Sequence, residues 1–140
     1  EWAILISCAL PLVVGLIGLR LAGPVSWVVL AAASGLGFSV VGVAARGLGA
    51  LTVSLALLIH PMTWSLLIGG VLAISFFAVA LQRGPVTAVT GISFTIEVVV
   101  PSAVGLLLFG DRVGAGLGPM AGVGFVLSIA GTTALARFAR

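Results

Sequence analysis

Residues 84–110 read GPVTAVTGISFTIEVVVPSAVGLLLFG, and within that stretch Glu97 is the only charged side chain. A helix crosses the hydrocarbon layer in about 20 residues at 1.5 Å each, so an apolar run of this length reads as a membrane span. The rest of the chain has the same character. Of its 140 residues 61% are hydrophobic and the mean hydropathy is +1.42. The charged residues are Glu1, Arg20, Arg46, Arg83, Glu97, Asp111, Arg112, Arg137 and Arg140. A water-soluble domain draws roughly a quarter of its residues from Asp, Glu, Lys and Arg. These few cannot solvate a folded surface, which excludes a soluble domain and makes the bilayer the solvent.

The charges cut the chain into apolar runs, and the run 47–82 holds two spans if His60-Pro61 makes the turn. An all-α polytopic transmembrane bundle of about six segments results, at 2–20, 25–45, 47–60, 63–82, 85–109 and 113–136. The third is short, spanning only about 21 Å at helical rise. A transmembrane barrel would need segments of about ten residues alternating apolar and polar. The stretches Trp27–Ala33 and Val98–Val100 do not alternate.

The net charge of +3 comes entirely from Arg side chains on the basic side, and they fall at span ends. There they serve as topology signals, not as a nucleic-acid surface. With six crossings, both termini lie in the cytoplasm: Arg46, Arg83, Arg137 and Arg140 are then inside, while Arg20 and the Asp111-Arg112 turn are outside. Connections such as Gly23-Pro24 and Gly84-Pro85 are short, so consecutive helices pair antiparallel. The chain opens on Glu1, and no basic stretch precedes the first apolar run. That argues against a secretory signal peptide and for a piece of a longer membrane protein.

Helices in lipid associate through close contact, which small residues permit. Gly114, Gly118 and Gly122 recur at every fourth position near the C-terminus, as do Ala31, Gly35 and Ser39 in the second segment. Both stripes read as helix–helix seams, within one chain or in a homodimer.

Glu97 is the residue with the most to say about function. A carboxylate at bilayer mid-depth costs a few kcal/mol on insertion scales, so it faces the bundle interior or a water-filled cavity. At helical spacing Thr90, Ser93, Glu97 and Pro101 share a face, expected to line a substrate or ion pathway. Pro101 removes a backbone hydrogen bond and crowds the carbonyl of Glu97. Transporters use such interrupted helices. The bland alternative is a structural hydrogen bond from Glu97 to a neighbouring helix.

The remaining polar residues favour plain readings. His60 is the only His, without Cys or acid at ligand spacing, so no metal site is expected. Asp111-Arg112 reads as a solvated helix cap. Trp2, Trp27 and Trp64 sit near span ends as interfacial aromatics do, and Cys8 reads as packing. No acid pair, nucleophile–base pair or phosphate loop appears, so neither an enzyme nor a cofactor is expected.

From Ser26 onward the chain resembles the drug/metabolite transporter superfamily, EamA-type permeases. The resemblance lies in Ala80-Leu81-Gln82-Arg83-Gly84-Pro85-Val86-Thr87-Ala88-Val89, then Pro101 in a long apolar helix, then Leu108-Phe109-Gly110-Asp111-Arg112, and a last Gly-rich helix over Gly122–Leu135. Asp111 stands where the family usually has Glu. The resemblance implies that residues 25–140 form the second five-helix repeat of a ten-helix permease. Residues 1–24 would then be the last helix of the preceding repeat, plus its connection. It further implies alternating-access movement of small metabolites or drugs across the cytoplasmic membrane, with the N-terminal repeat of the same chain completing the cavity. A non-catalytic membrane scaffold or subunit, joined to its partner through the small-residue seams, is the competing expectation.

Overall fold

The computed structural model describes residues 6–48, 59–108 and 116–138, and these residues are all-α. The helices are α1 (Ala9–Arg20), α2 (Pro24–Leu48), α3 (Pro61–Arg83), α4 (Val86–Leu108) and α5 (Gly118–Phe138). Helices α2, α3 and α4 are long and apolar enough to cross a membrane, with apolar stretches of 25, 23 and 22 residues. At helical rise these reach about 33–38 Å, more than the ~30 Å hydrocarbon layer.

Local chemistry sets the helix boundaries. Gly23 adopts φ +74°, a left-handed conformation that turns the chain between α1 and α2. Pro24 and Pro61 open their helices where a missing N–H costs nothing. At α3, His60 is the N-cap, its Nδ1 accepting from the Met62 N–H at 3.3 Å. Arg20, Arg46 and Arg83 each sit in the last turn of α1, α2 and α3, where a cation meets the negative end of the helix dipole.

Helix α2 is the centre of the bundle, packing on α1, α3 and α4, while among the described helices α5 packs on α4 alone. The core comprises Leu30, Ala31, Ala33, Phe76, Ala80 and Val89. It is built on close approach: a Cβ on Gly37 would lie 3.0 Å from the Ala73 backbone, and one on Gly69 would lie 3.3 Å from the Gly37 carbonyl. Ser34 Oγ is buried here without a hydrogen-bond partner among the described residues. The outer faces carry large apolar side chains, including Val71 and Ile74, as a lipid-facing surface does.

The contacts fix helix direction. Cys8 donates to the Ser65 carbonyl at 3.6 Å at the start of α1 and α3, and Arg83 Nη1 lies 3.5 Å from the Leu19 carbonyl at their ends. These two helices are therefore parallel. Helix α2 runs against both, since Gly47 lies beside Met62 and Trp27 beside Gly84. Helix α4 runs parallel to α2: Ser93 meets Ala31, Ile96 meets Ser39, and Pro101 faces Gly42.

Arg20 and Arg83, which six crossings would put on opposite sides, lie at one end of the bundle. Helix α2 ends and α3 begins at the other end, where Gly47 lies beside Met62. Hydropathy marks 47–60 as apolar but does not say whether it traverses. Its residues 47 and 48 complete α2, and 49–58 lie outside the described residues.

Candidate functional site

The α2–α4 seam holds most of the expected site residues. Ala31 is fully buried, and its carbonyl accepts the Ser93 hydroxyl at 3.0 Å. Gly35 admits α4 closely, because a Cβ there would come within 2.6 Å of the Ser93 carbonyl and 2.7 Å of Ile96 Cβ. Ser39 Oγ donates to its own helix at Gly35 O (2.7 Å) and faces Ile96 O across the seam at 3.2 Å. Two hydroxyls thus join the helices where small residues let the backbones meet. Each such bond in a membrane protein contributes about 0.6 kcal/mol on average.

The face expected to line a pathway divides in two. Ser93 is fully buried and its hydroxyl is committed to α2, so it holds the helices together. Thr90, half-buried, returns its hydroxyl to Val86 O at 2.7 Å. Glu97 and Pro101 lie half-buried at the margin of the seam. Glu97 is central in α4, with about as much helix before it as after. No hydrogen bond or ion pair engages its carboxylate among the described residues. The structural bond that would make Glu97 a packing residue is thus not among these contacts.

Beside this margin, α4 and α5 enclose a mainly apolar cavity of about 330 Å³, lined by Phe94, Thr95, Val98, Val99, Phe125 and Ser128 among others. Reading the sequence for polar residues missed it, because most of its walls are ordinary apolar side chains. Bulky Phe94 and Phe125 at mid-helix were the available signal. Helix α5 turns its small residues elsewhere: a Cβ on Gly118 or Gly122 would meet nothing within 4 Å. That stripe forms no seam among the described residues, and Gly114 lies outside them.

His60 caps α3 as described, and no three His, Cys, Asp or Glu converge to hold a metal ion among the described residues. Asp111-Arg112 and Trp2 lie outside them, whereas Trp27 and Trp64 stand in the first turns of α2 and α3. Arg83, taken from the sequence as a topology signal alone, makes a 2.7 Å bond to Ser26 Oγ. No protein-family model, curated protein or solved structure matches the chain.

Proposed function

We propose that the chain is part of a multi-pass secondary transporter of small metabolites or drugs in the cytoplasmic membrane, of the EamA kind that its motifs resemble. The observation that carries this reading is Glu97, a half-buried acid in mid-helix with no described partner. Lipid does not tolerate such a group uncovered. Water, substrate or a further part of the protein covers it, and Glu97 exchanges a proton or pairs with a cationic substrate there. Pro101, one turn on, gives α4 the interrupted backbone that alternating access uses. The reading rests on the acid and the motifs.

The direction of the helices supports a revised orientation. Arg20 and Arg83 share one end and Arg46 marks the other. Among the described helix-end arginines, two then mark the first end and one the second. That basic bias makes the Arg20/Arg83 end cytoplasmic.

The test is substrate-evoked proton flux in proteoliposomes, using a panel of cationic dyes and small metabolites. Glu97→Gln abolishes the flux at equal reconstitution, and Glu97→Asp retains part of it. Equal flux from the Gln variant removes Glu97 from the mechanism. The second reading, a scaffold or subunit, is favoured by one observation: the open stripe at Gly118 and Gly122.

A further inference from the structure

Where α1 and α3 end and α2 begins, the bundle holds an open cavity of about 550 Å³ whose lining includes Leu19, Leu21, Gly23, Ser26, Trp27 and Arg83. Among the described residues, Arg83 is its only charged side chain and no carboxylate lines it. Of the acids in the chain, Glu97 lies at the middle of α4, more than two turns away along that helix, and Glu1 and Asp111 lie outside the described residues. The cavity is electrostatically one-sided.

The guanidinium is held in place. Nη1 donates to Ser26 Oγ at 2.7 Å and to Leu19 O at 3.5 Å. A guanidinium carries five N–H groups in a fixed fork. Those on Nε and Nη2 make no hydrogen bond among the described residues. Ser26 is buried and its hydroxyl also lies 2.9 Å from the Gly18 carbonyl, so the anchor of the fork is itself anchored. Ser26 and Trp27 belong to the first turn of α2, whose dipole adds positive potential on the same side. The indole of Trp27 is packed against Gly84, where a Cβ would approach it to 2.5 Å.

The walls distinguish the source of the anion. Leu19, Leu21 and the Trp27 ring are apolar, and Val25, next to Ser26 in the first turn of α2, is an exposed apolar side chain. A free anion has no use for such walls. A phospholipid does, because its phosphate meets Arg83 while its chains run along the apolar flank. We infer that this cavity binds the phosphate of an anionic phospholipid, with Arg83 as its cationic ligand and Trp27 as its wall. The inference rests on the membrane reading and is independent of transport.

Trp27 supplies the probe. The full chain with Trp2→Phe and Trp64→Phe is reconstituted in phosphatidylcholine vesicles containing one-fifth phosphatidylglycerol by design, with either lipid carrying brominated chains that quench indole. A basic residue near an anionic surface corresponds to about fivefold local enrichment, so phosphatidylglycerol should exceed phosphatidylcholine at Trp27 by about that factor. Arg83→Gln brings the ratio to one, Arg83→Lys keeps part of it, and Arg20→Gln, outside the cavity, leaves it unchanged. If Arg83→Gln does not fold, the Lys variant and the parent ratio carry the test. A parent ratio of one overturns the inference while leaving the membrane reading intact. Failure of any brominated lipid to quench Trp27 overturns the membrane reading instead. Inorganic phosphate or glycerophosphate in millimolar amounts should not abolish the preference; abolition would make this a free-anion site and overturn the lipid assignment.

Discussion

Replacing Gly35 by Ala tests whether the α2–α4 seam is as tight as the structure has it. The added methyl would sit 2.6 Å from the Ser93 carbonyl oxygen and 2.7 Å from Ile96 Cβ. Restoring an ordinary contact of about 3.4 Å or more requires the helices to part by about 0.8 Å, since the obstacle is backbone and cannot rotate away. Overpacking of this kind costs about 1–3 kcal/mol. Parting the helices also stretches the Ser93–Ala31 and Ser39–Ile96 bonds from 3.0 and 3.2 Å to beyond hydrogen-bonding range, a loss of about 0.6 kcal/mol each. Alanine's better helix propensity returns up to about 1 kcal/mol. The expected net loss is about 2 kcal/mol, read as an earlier midpoint in reversible unfolding from lipid–detergent micelles by SDS. Gly42→Ala is the internal control, because a Cβ there meets only Pro101 Cγ at 3.8 Å; that variant should match or exceed the parent. A Gly35→Ala protein as stable as the parent would refute the close approach and the two-bond seam with it.

Two further predictions address topology and the α5 stripe. In a Cys8→Ala background, cysteines placed at exposed Ala22 and Gln82 should react with an impermeant maleimide from the same side of the membrane, and one at exposed Ile59 from the other; labelling of positions 22 and 82 from opposite sides would restore a crossing between α2 and α3. Gly118→Ile should leave unfolding unchanged within about 0.5 kcal/mol, as for surface positions, and should disrupt a co-purifying complex only if the stripe binds a partner helix. A substantial destabilisation would place another part of this chain against it.

Much of the seam was legible because spacing alone identifies it. Ala31, Gly35 and Ser39 recur at four residues, and in lipid only close contact rewards such a pattern. Periodicity tells which residues share a face but not what that face meets: Ser93, expected on a pathway-lining face, bonds to Ala31 O in the seam, and the evenly spaced Gly118 and Gly122 face nothing within 4 Å among the described residues. Topology was the least legible feature, because a short apolar run satisfies hydropathy whether it crosses or not. Arg83 was read for its charge alone. Its hold on Ser26 depends on α3 ending where α2 begins, an antiparallel pairing of residues 57 positions apart that no local pattern carries.

The Ser39 hydroxyl, shared between carbonyls of two helices, bears on how the bundle is born. Helix α2 emerges from the ribosome with a small-residue face that has no occupant until α4 follows. Ile96 trails Ser39 by 57 positions, which at ~5–20 residues per second is a delay of about 3–11 s. During that wait an unpaired hydroxyl would sit in hydrocarbon at a cost. Ser39 avoids it, because its bond to Gly35 O lies within α2 and needs no neighbour. When α4 docks, the single O–H, 2.7 Å from Gly35 O, also comes within 3.2 Å of Ile96 O and is shared between the two carbonyls, so the early helix is stable enough to linger in lipid and still prepared to receive its later partner.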